Sequence, residues 1–304
     1  MTRLQDKPIV IGTRGSALAV RQSEIVEELL SKMDVGFLRK IIKTSGDVIQ
    51  DKPLFELKGF GAFVRELDDV MLRGEIDIAV HSMKDIPTER PAGLELAAVL
   101  PRDSPCDILV TSDGSKLSEL PPGAVLGTSS MRRRSQVLRE RKDLKLKDIR
   151  GNIDTRIKKL GNGDYDAILL AEAGLERMGW LEGKFDIGFE RLDPRRFVPS
   201  ANQGTIAIVA KSGTEAFEVL SGLNDPATML VTSFERRIID ILGAGCKVPI
   251  GVFAESRGSK VELVSEILSE DGAVISRIER VVPVDDAMRE ANSIGEALKV
   301  VWRG

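Results

Sequence analysis

In 304 residues the chain has one histidine, one tyrosine, two tryptophans and two cysteines. Each scarcity removes a class of function. With His81 alone, most zinc and non-haem iron centres are excluded, and any Ser-His-Asp or Cys-His system depends on that one side chain. Acid–base chemistry therefore falls to carboxylates and lysine. Cys106 and Cys246 lie in unlike contexts and make neither a disulfide framework nor a thiolate metal site. So few aromatic rings leave no stacking platform for single-stranded nucleic acid. The formal net charge of −3 offers no general positive field to nucleic acid or anionic lipid, so any cationic function must be local. No apolar run approaches the length of a membrane span, and the N-terminal MTRLQDKPIVIGTRG lacks a signal-peptide core. The expectation is a cytoplasmic protein.

What is present reads as α/β. PIVIGT is a short buried strand followed by a helix start at Ser16, with Leu18, Ile25, Leu29 and Met33 as its apolar positions. Strand and helix signals alternate onward through LRKIIKT, AFVRELDDVMLRG, IDIAV, LELAAVL, AVLGT, RRRSQVLRERK, KLKDI, IDTRIKKLG and DAILLA. Pro and Asp cluster in PRDSPCD (101–107) and DPRRFVPSANQG (193–204), the places where the chain is expected to change lobes. After Pro226 come one long helix, three strands and a closing helix, a small α+β domain.

Four groups of residues stand out. Lys84 and Asp85 follow the strand IDIAV, at the carboxyl end where open α/β sheets place ligands; a turn cap beside Pro87 is the plainer role for Asp85. In SSMRRRSQ, Ser129 or Ser130 caps a helix whose positive end carries Arg132, Arg133 and Arg134, which is unfavourable without an anion. Arg150 and Arg156 flank Gly151-Asn152 at the next helix start, and Arg14 sits beside Ser16; guanidinium with free backbone N–H suits carboxylate or phosphate. Cys246 lies in the Gly-rich loop GAGCKVP beside Lys247, which favours an accessible thiolate, whereas Cys106 before DILV reads as a buried, inert thiol.

Together IGTRGSALA, VHSMKDIP, SSMRRRSQ, DIRGNIDTR and GAGCKVPIG make the chain resemble the porphobilinogen deaminase family along almost its whole length. The resemblance implies two lobes like those of a type II periplasmic binding protein around a cleft, plus a small C-terminal α+β domain. The domains would be 1–101 with 202–215, 102–200, and 218–304. It implies stepwise head-to-tail condensation of four porphobilinogens, with loss of ammonia, onto a covalent dipyrromethane primer, followed by hydrolytic release of the linear tetrapyrrole. By position, Asp85 and Lys84 would be catalytic, and Cys246 would carry the primer through a thioether. Arg132, Arg133, Ser129, Lys84 and Asp85 would hold the primer. Arg14, Ser16, Thr128, Arg150 and Arg156 would bind substrate carboxylates. The chain departs from the family in LKGFGAF, where Phe60 stands for a lysine that Lys58 would replace, in SANQGTIAIV, and at Ala244. The family also implies a monomer acting on a small molecule, with neither nucleic acid nor membrane as partner. A non-catalytic two-lobed anion-binding protein would share the fold and the arginines, but it gives no role to Cys246.

Overall fold

The computed structural model describes residues 7–43, 61–183, 187–243 and 248–303. They fall into two compact units, 1–102 with 205–229 and 103–204 with 230–304. The chain thus passes between units three times: within 101–107, at the end of 193–204, and at 229–230, inside the helix that begins at Pro226.

In the first unit β1 (Ile9–Arg14), β2 (Phe37–Ile42), β3 (Ile78–Ser82), β4 (Leu94–Val99) and β10 (Ile206–Lys211) form one sheet in the order β2-β1-β3-β10-β4. β1 is parallel to β2 and β3, and β10 is antiparallel to β3 and β4. The inner strands β3 and β10 are buried on both faces, as their near-continuous apolar sequences require, whereas the edge strand β2 is largely exposed. Ile206, Ile208 and Ala210 join Ile78 and Val80 on the face covered by α1 (Ala17–Lys32) and α6 (Glu215–Ser221), while Ala207 and Val209 join Ala79 opposite, against α2 (Ala62–Leu72).

The second unit repeats the scheme. Its sheet runs β7-β6-β8-β5-β9, from β5 (Asp107–Thr111), β6 (Val125–Gly127), β7 (Lys145–Lys147), β8 (Ala167–Ala171) and β9 (Gly188–Arg191). Again β6 is parallel to β7 and β8, and β5 is antiparallel to β8 and β9. In each sheet the strand nearest a crossing, β10 or β5, is inserted antiparallel beside the third strand. That shared order is the type II periplasmic-binding-protein-like lobe. α3 (Met131–Glu140) contributes to the core on one face, α4 (Ile153–Gly161) and α5 (Glu172–Arg177) to that on the other.

The second unit also holds a three-stranded antiparallel sheet, β11 (Ile250–Arg257), β12 (Lys260–Leu268) and β13 (Val274–Pro283). α7 (Pro226–Leu242) and α8 (Ala287–Arg303) pack on it around Phe234, Ile238, Val252, Leu263 and Leu298. Two glycines set its approach to the segment around Val198 and to α3. A Cβ on Gly251 would lie 2.5 Å from the Val198 carbonyl oxygen, and one on Gly272, at φ +89°, 2.4 Å from the Arg139 nitrogen.

The expected apolar face of α1 is displaced by one position. Its buried residues are Gln22, Ser23, Val26, Glu27 and Leu30; Ile25 and Leu29 are only partly buried, and Met33 is an exposed cap. Polar partners make this phase tenable. Gln22 Nε2 donates to Ser82 Oγ at 2.8 Å, Ser23 Oγ to Glu27 Oε1 at 2.8 Å, and Arg39 pairs with Glu27 at 2.8 Å. No helix among the described residues is long and apolar enough to cross a membrane.

Candidate anion-binding and catalytic residues

In the first unit Arg14 ends β1, and Lys84 and Asp85 follow the adjacent parallel strand β3. Ile11 pairs with Ile78 and Gly12 with Ala79, and because the two strands run parallel, Arg14 and the residues after β3 lie toward the same carboxyl edge of the sheet. Ser16 caps α1, accepting from the Ala19 N–H at 3.3 Å. The turn after β3 is pinned from inside. Met83 and Ile86 are buried, and the Met83 N–H donates to the Thr205 carbonyl at 2.9 Å. Between those anchors Lys84 is half-buried and Asp85 is exposed, which presents the carboxylate to whatever occupies that edge. His81 is buried with Nε2 unbonded; burial first, then Arg90 and Arg14, push its pKa down to about 3. It stays neutral at physiological pH, so the sole histidine supplies no acid–base chemistry there.

In the second unit the loop after β6 leads into α3. Ser130, not Ser129, is the cap, accepting from the Arg133 N–H at 3.4 Å. Ser129 Oγ instead donates to the Ile149 carbonyl at 2.9 Å and accepts from the Ile149 N–H at 3.1 Å, tying this loop to the one that carries Arg150. Thr128 is buried and its Oγ1 accepts from the Ser130 N–H at 3.3 Å. Arg132 and Arg133 are buried, and the structure supplies an anion the motif did not disclose, Asp107 at the start of β5. Arg132 Nη1 donates to Asp107 Oδ2 at 2.7 Å; Arg133 donates from Nε and Nη2 to Oδ1 at 3.0 and 2.7 Å. Burial alone would raise the Asp107 carboxyl, but the two guanidiniums outweigh it and hold it well below the usual range. Arg134 points elsewhere, to Asp148 at 3.3 Å.

Asn152 caps α4, accepting from the Thr155 N–H at 2.9 Å, and Arg156 Nε donates to the Gly151 carbonyl at 2.8 Å. Burial, then proximity to Arg133 and Arg150, push the Arg156 guanidinium down to about 10. A carboxylate bound beside Arg156 would relieve this guanidinium. The only described cysteine, Cys106, is buried with its thiol pushed up by burial, which leaves it inert. Lys58, Phe60, Ala244, Cys246 and Lys247 lie outside the described residues, and no group of described His, Cys, Asp and Glu side chains is arranged to hold a metal ion.

Comparison with known proteins shows the family. The family model "Porphobilinogen deaminase, dipyromethane cofactor binding domain" matches residues 9–218, and "Porphobilinogen deaminase, C-terminal domain" matches 229–300. The chain is 52% identical over 292 residues to the "Probable porphobilinogen deaminase" of Methanococcoides burtonii, covering 95% of this chain and 93% of that one. It is 40% identical over 299 residues to the porphobilinogen deaminase of Syntrophobacter fumaroxidans, covering 97% and 95%. Among solved structures, the VFT2 domain of Bordetella pertussis BvgS aligns over 73% of this chain and 91% of its own at 15% identity, with a TM-score of 0.44, too distant to bear on function. The chain belongs to the porphobilinogen deaminase family and contains that family's dipyrromethane cofactor-binding domain.

Proposed function

We propose that the chain is a hydroxymethylbilane synthase, a transferase that joins four porphobilinogens head to tail and releases the linear tetrapyrrole for porphyrin biosynthesis. Besides family membership, the observation that carries this reading is the pair of buried guanidiniums, Arg132 and Arg133, oriented on Asp107 with Arg156 close enough to Arg133 to feel its charge. A dipyrromethane and each added pyrrole bring an acetate and a propionate per ring, carboxylates suited to guanidinium. The donor set therefore fits the group. Arg132, Arg133 and Ser129, with Lys84 and Asp85, would hold the primer, attached through Cys246; Arg14, Ser16, Thr128, Arg150 and Arg156, with Lys58, would bind incoming substrate.

When bound, the primer would supply the free pyrrole carbon to which the first ring is joined, each later ring joining the one before it. As porphobilinogen loses ammonia, positive charge grows on its pyrrole, and the exposed Asp85 carboxylate is the group on this chain suited to hold that charge and to accept pyrrole N–H bonds. Lys84 beside it balances charge or meets a substrate carboxylate. The arginines fix the rings by their carboxylates, a positioning role in which bidentate guanidinium is superior to lysine. Family resemblance supports three domains, 1–101 with 202–215, 102–200 and 218–304, and a cytoplasmic monomer.

The test is the intact mass of the purified protein beside Cys246→Ser, with a colour reaction for pyrroles on both. An excess of two condensed pyrrole units that disappears in the variant supports both reaction and attachment point. A protein that stays unmodified after porphobilinogen is added would overturn the reading in favour of a non-catalytic anion-binding protein.

A further inference from the structure

Asp107 is fully buried at the head of a strand whose other residues are Ile, Leu, Val and Thr. Four bonds from three side chains converge on it: Arg132 Nη1, Arg133 Nε and Nη2, and Gln203 Nε2 at 3.0 Å. Stability alone is a poor account of such a group, since a buried ion triad is commonly no better than well-packed apolar residues of the same volume. The geometry offers a better one.

Arg132 spends both Nη1 protons, one on Asp107 and one on the Val198 carbonyl at 2.8 Å. Arg133 uses Nε and one proton each of Nη2 and Nη1, the last on the Leu169 carbonyl at 3.0 Å. Each guanidinium is thereby fixed in plane and rotation by two different acceptors. Of the donors a guanidinium carries, Nε and Nη2 of Arg132 and one proton on each Nη of Arg133 remain for a ligand among the described residues. Asp107 also cancels one of the two positive charges, so the pair meets its ligand as a monocation with its orientation already set. Through Gln203, which also donates to the Pro105 and Cys106 carbonyls at 2.8 and 3.2 Å, the same carboxylate is joined to the segment that leads out of this unit.

We propose that Asp107 is the positioning residue of the anion-binding arginines: it orients Arg132 and Arg133 before any ligand arrives, and so determines how fast the dipyrromethane primer is captured. This rests on the reading of the chain as a hydroxymethylbilane synthase. Replacing the carboxylate by its amide keeps the volume but turns an N–H toward Arg132 or Arg133, so one guanidinium loses its anchor.

The experiment compares primer loading, followed by intact mass after porphobilinogen is added to primer-free protein, in the wild-type chain, Asp107→Asn and Glu235→Gln. Glu235 is the matched control: a fully buried carboxylate in the same unit, accepting from the Asn202 and Ala254 N–H groups at 2.6 and 2.7 Å and making no bond to either arginine. Asp107→Asn is expected to load at least tenfold more slowly, at a temperature where both variants are folded by circular dichroism, while Glu235→Gln loads at the wild-type rate. Equal loading by Asp107→Asn and wild type overturns the proposal; equal slowing in both variants reduces Asp107 to a structural group and also overturns it. A wild-type chain that never loads refutes the functional reading itself, and the proposal falls with it. Should Asp107→Asn not fold, the Arg133 Nε–H resonance of the primer-free Cys246→Ser protein, assigned by its loss in Arg133→Lys, decides. A signal protected from solvent exchange supports orientation before ligand, and a rapidly exchanging one overturns it.

Discussion

Arg156 is held in a state that its neighbours make uncomfortable. Its guanidinium is pushed down to about 10 by burial and by Arg133 and Arg150, so the folded, ligand-free protein bears a like-charge penalty that a bound carboxylate removes. Arg156→Gln is therefore expected to leave the thermal midpoint of the primer-free protein unchanged or higher, while cutting turnover by roughly a hundredfold. A lowered midpoint with retained activity would place Arg156 in the scaffold instead. His81 makes the opposite kind of statement. Its folded-state pKa is about 3 against 6.5 for the free side chain, so below pH 6.5 the unfolded chain binds a proton that the folded chain refuses. The corresponding stability is fully present above pH 6.5 and is lost as pH falls toward 3, by up to about 1.4 kcal/mol per pH unit. Between pH 6 and 4, His81→Asn should show a shallower fall in unfolding free energy than wild type, by close to one bound proton. Parallel curves from denaturant titrations would show that His81 protonates in the folded state.

At the scale of elements, the sequence was most legible where apolar periodicity and turn residues agree. The strands from IVIGT to AILLA and the three strands after Pro249 lie where their patterns place them. Legibility failed where polar groups pair inside the fold. α1 turns Gln22, Ser23 and Glu27 inward because Ser82 and Arg39 meet two of them, and no hydropathy pattern reveals such partners. β9 is a four-residue edge strand, half exposed, with too little burial to leave an alternating signature. The same limit applies to the site. The arginine motif announced an anion, but Asp107 lies 25 residues before Arg132 in sequence, and only the fold brings β5 under the N-terminus of α3. A lone acidic residue at the head of an otherwise apolar strand was the one available signal.

On the scale of the whole molecule, the first lobe takes an interior strand of its sheet from chain that returns past the crossing at 204–205. β10 stands between β3 and β4, and all of Ile206, Ala207, Ile208, Val209 and Ala210 are at most 3% exposed. Residues 1–102 alone would leave β4 without a hydrogen-bonded neighbour and would expose both hydrophobic faces where β10 belongs. Exposed sheet edges of that size are not repaired by local rearrangement, because among the described residues β4 pairs with no strand but β10. Residues 1–102 expressed as a fragment should therefore lack a cooperative thermal transition by circular dichroism. Joining residues 205–229 to it through a short flexible linker should restore one, since that segment returns β10, α6 and the Asn224 side chain that accepts from the Val99 N–H at 3.1 Å. A cooperative transition in the short fragment would mean that β3 and β4 can close directly, and that the inserted strand sets the lobe's connection to the rest of the chain rather than its ability to fold.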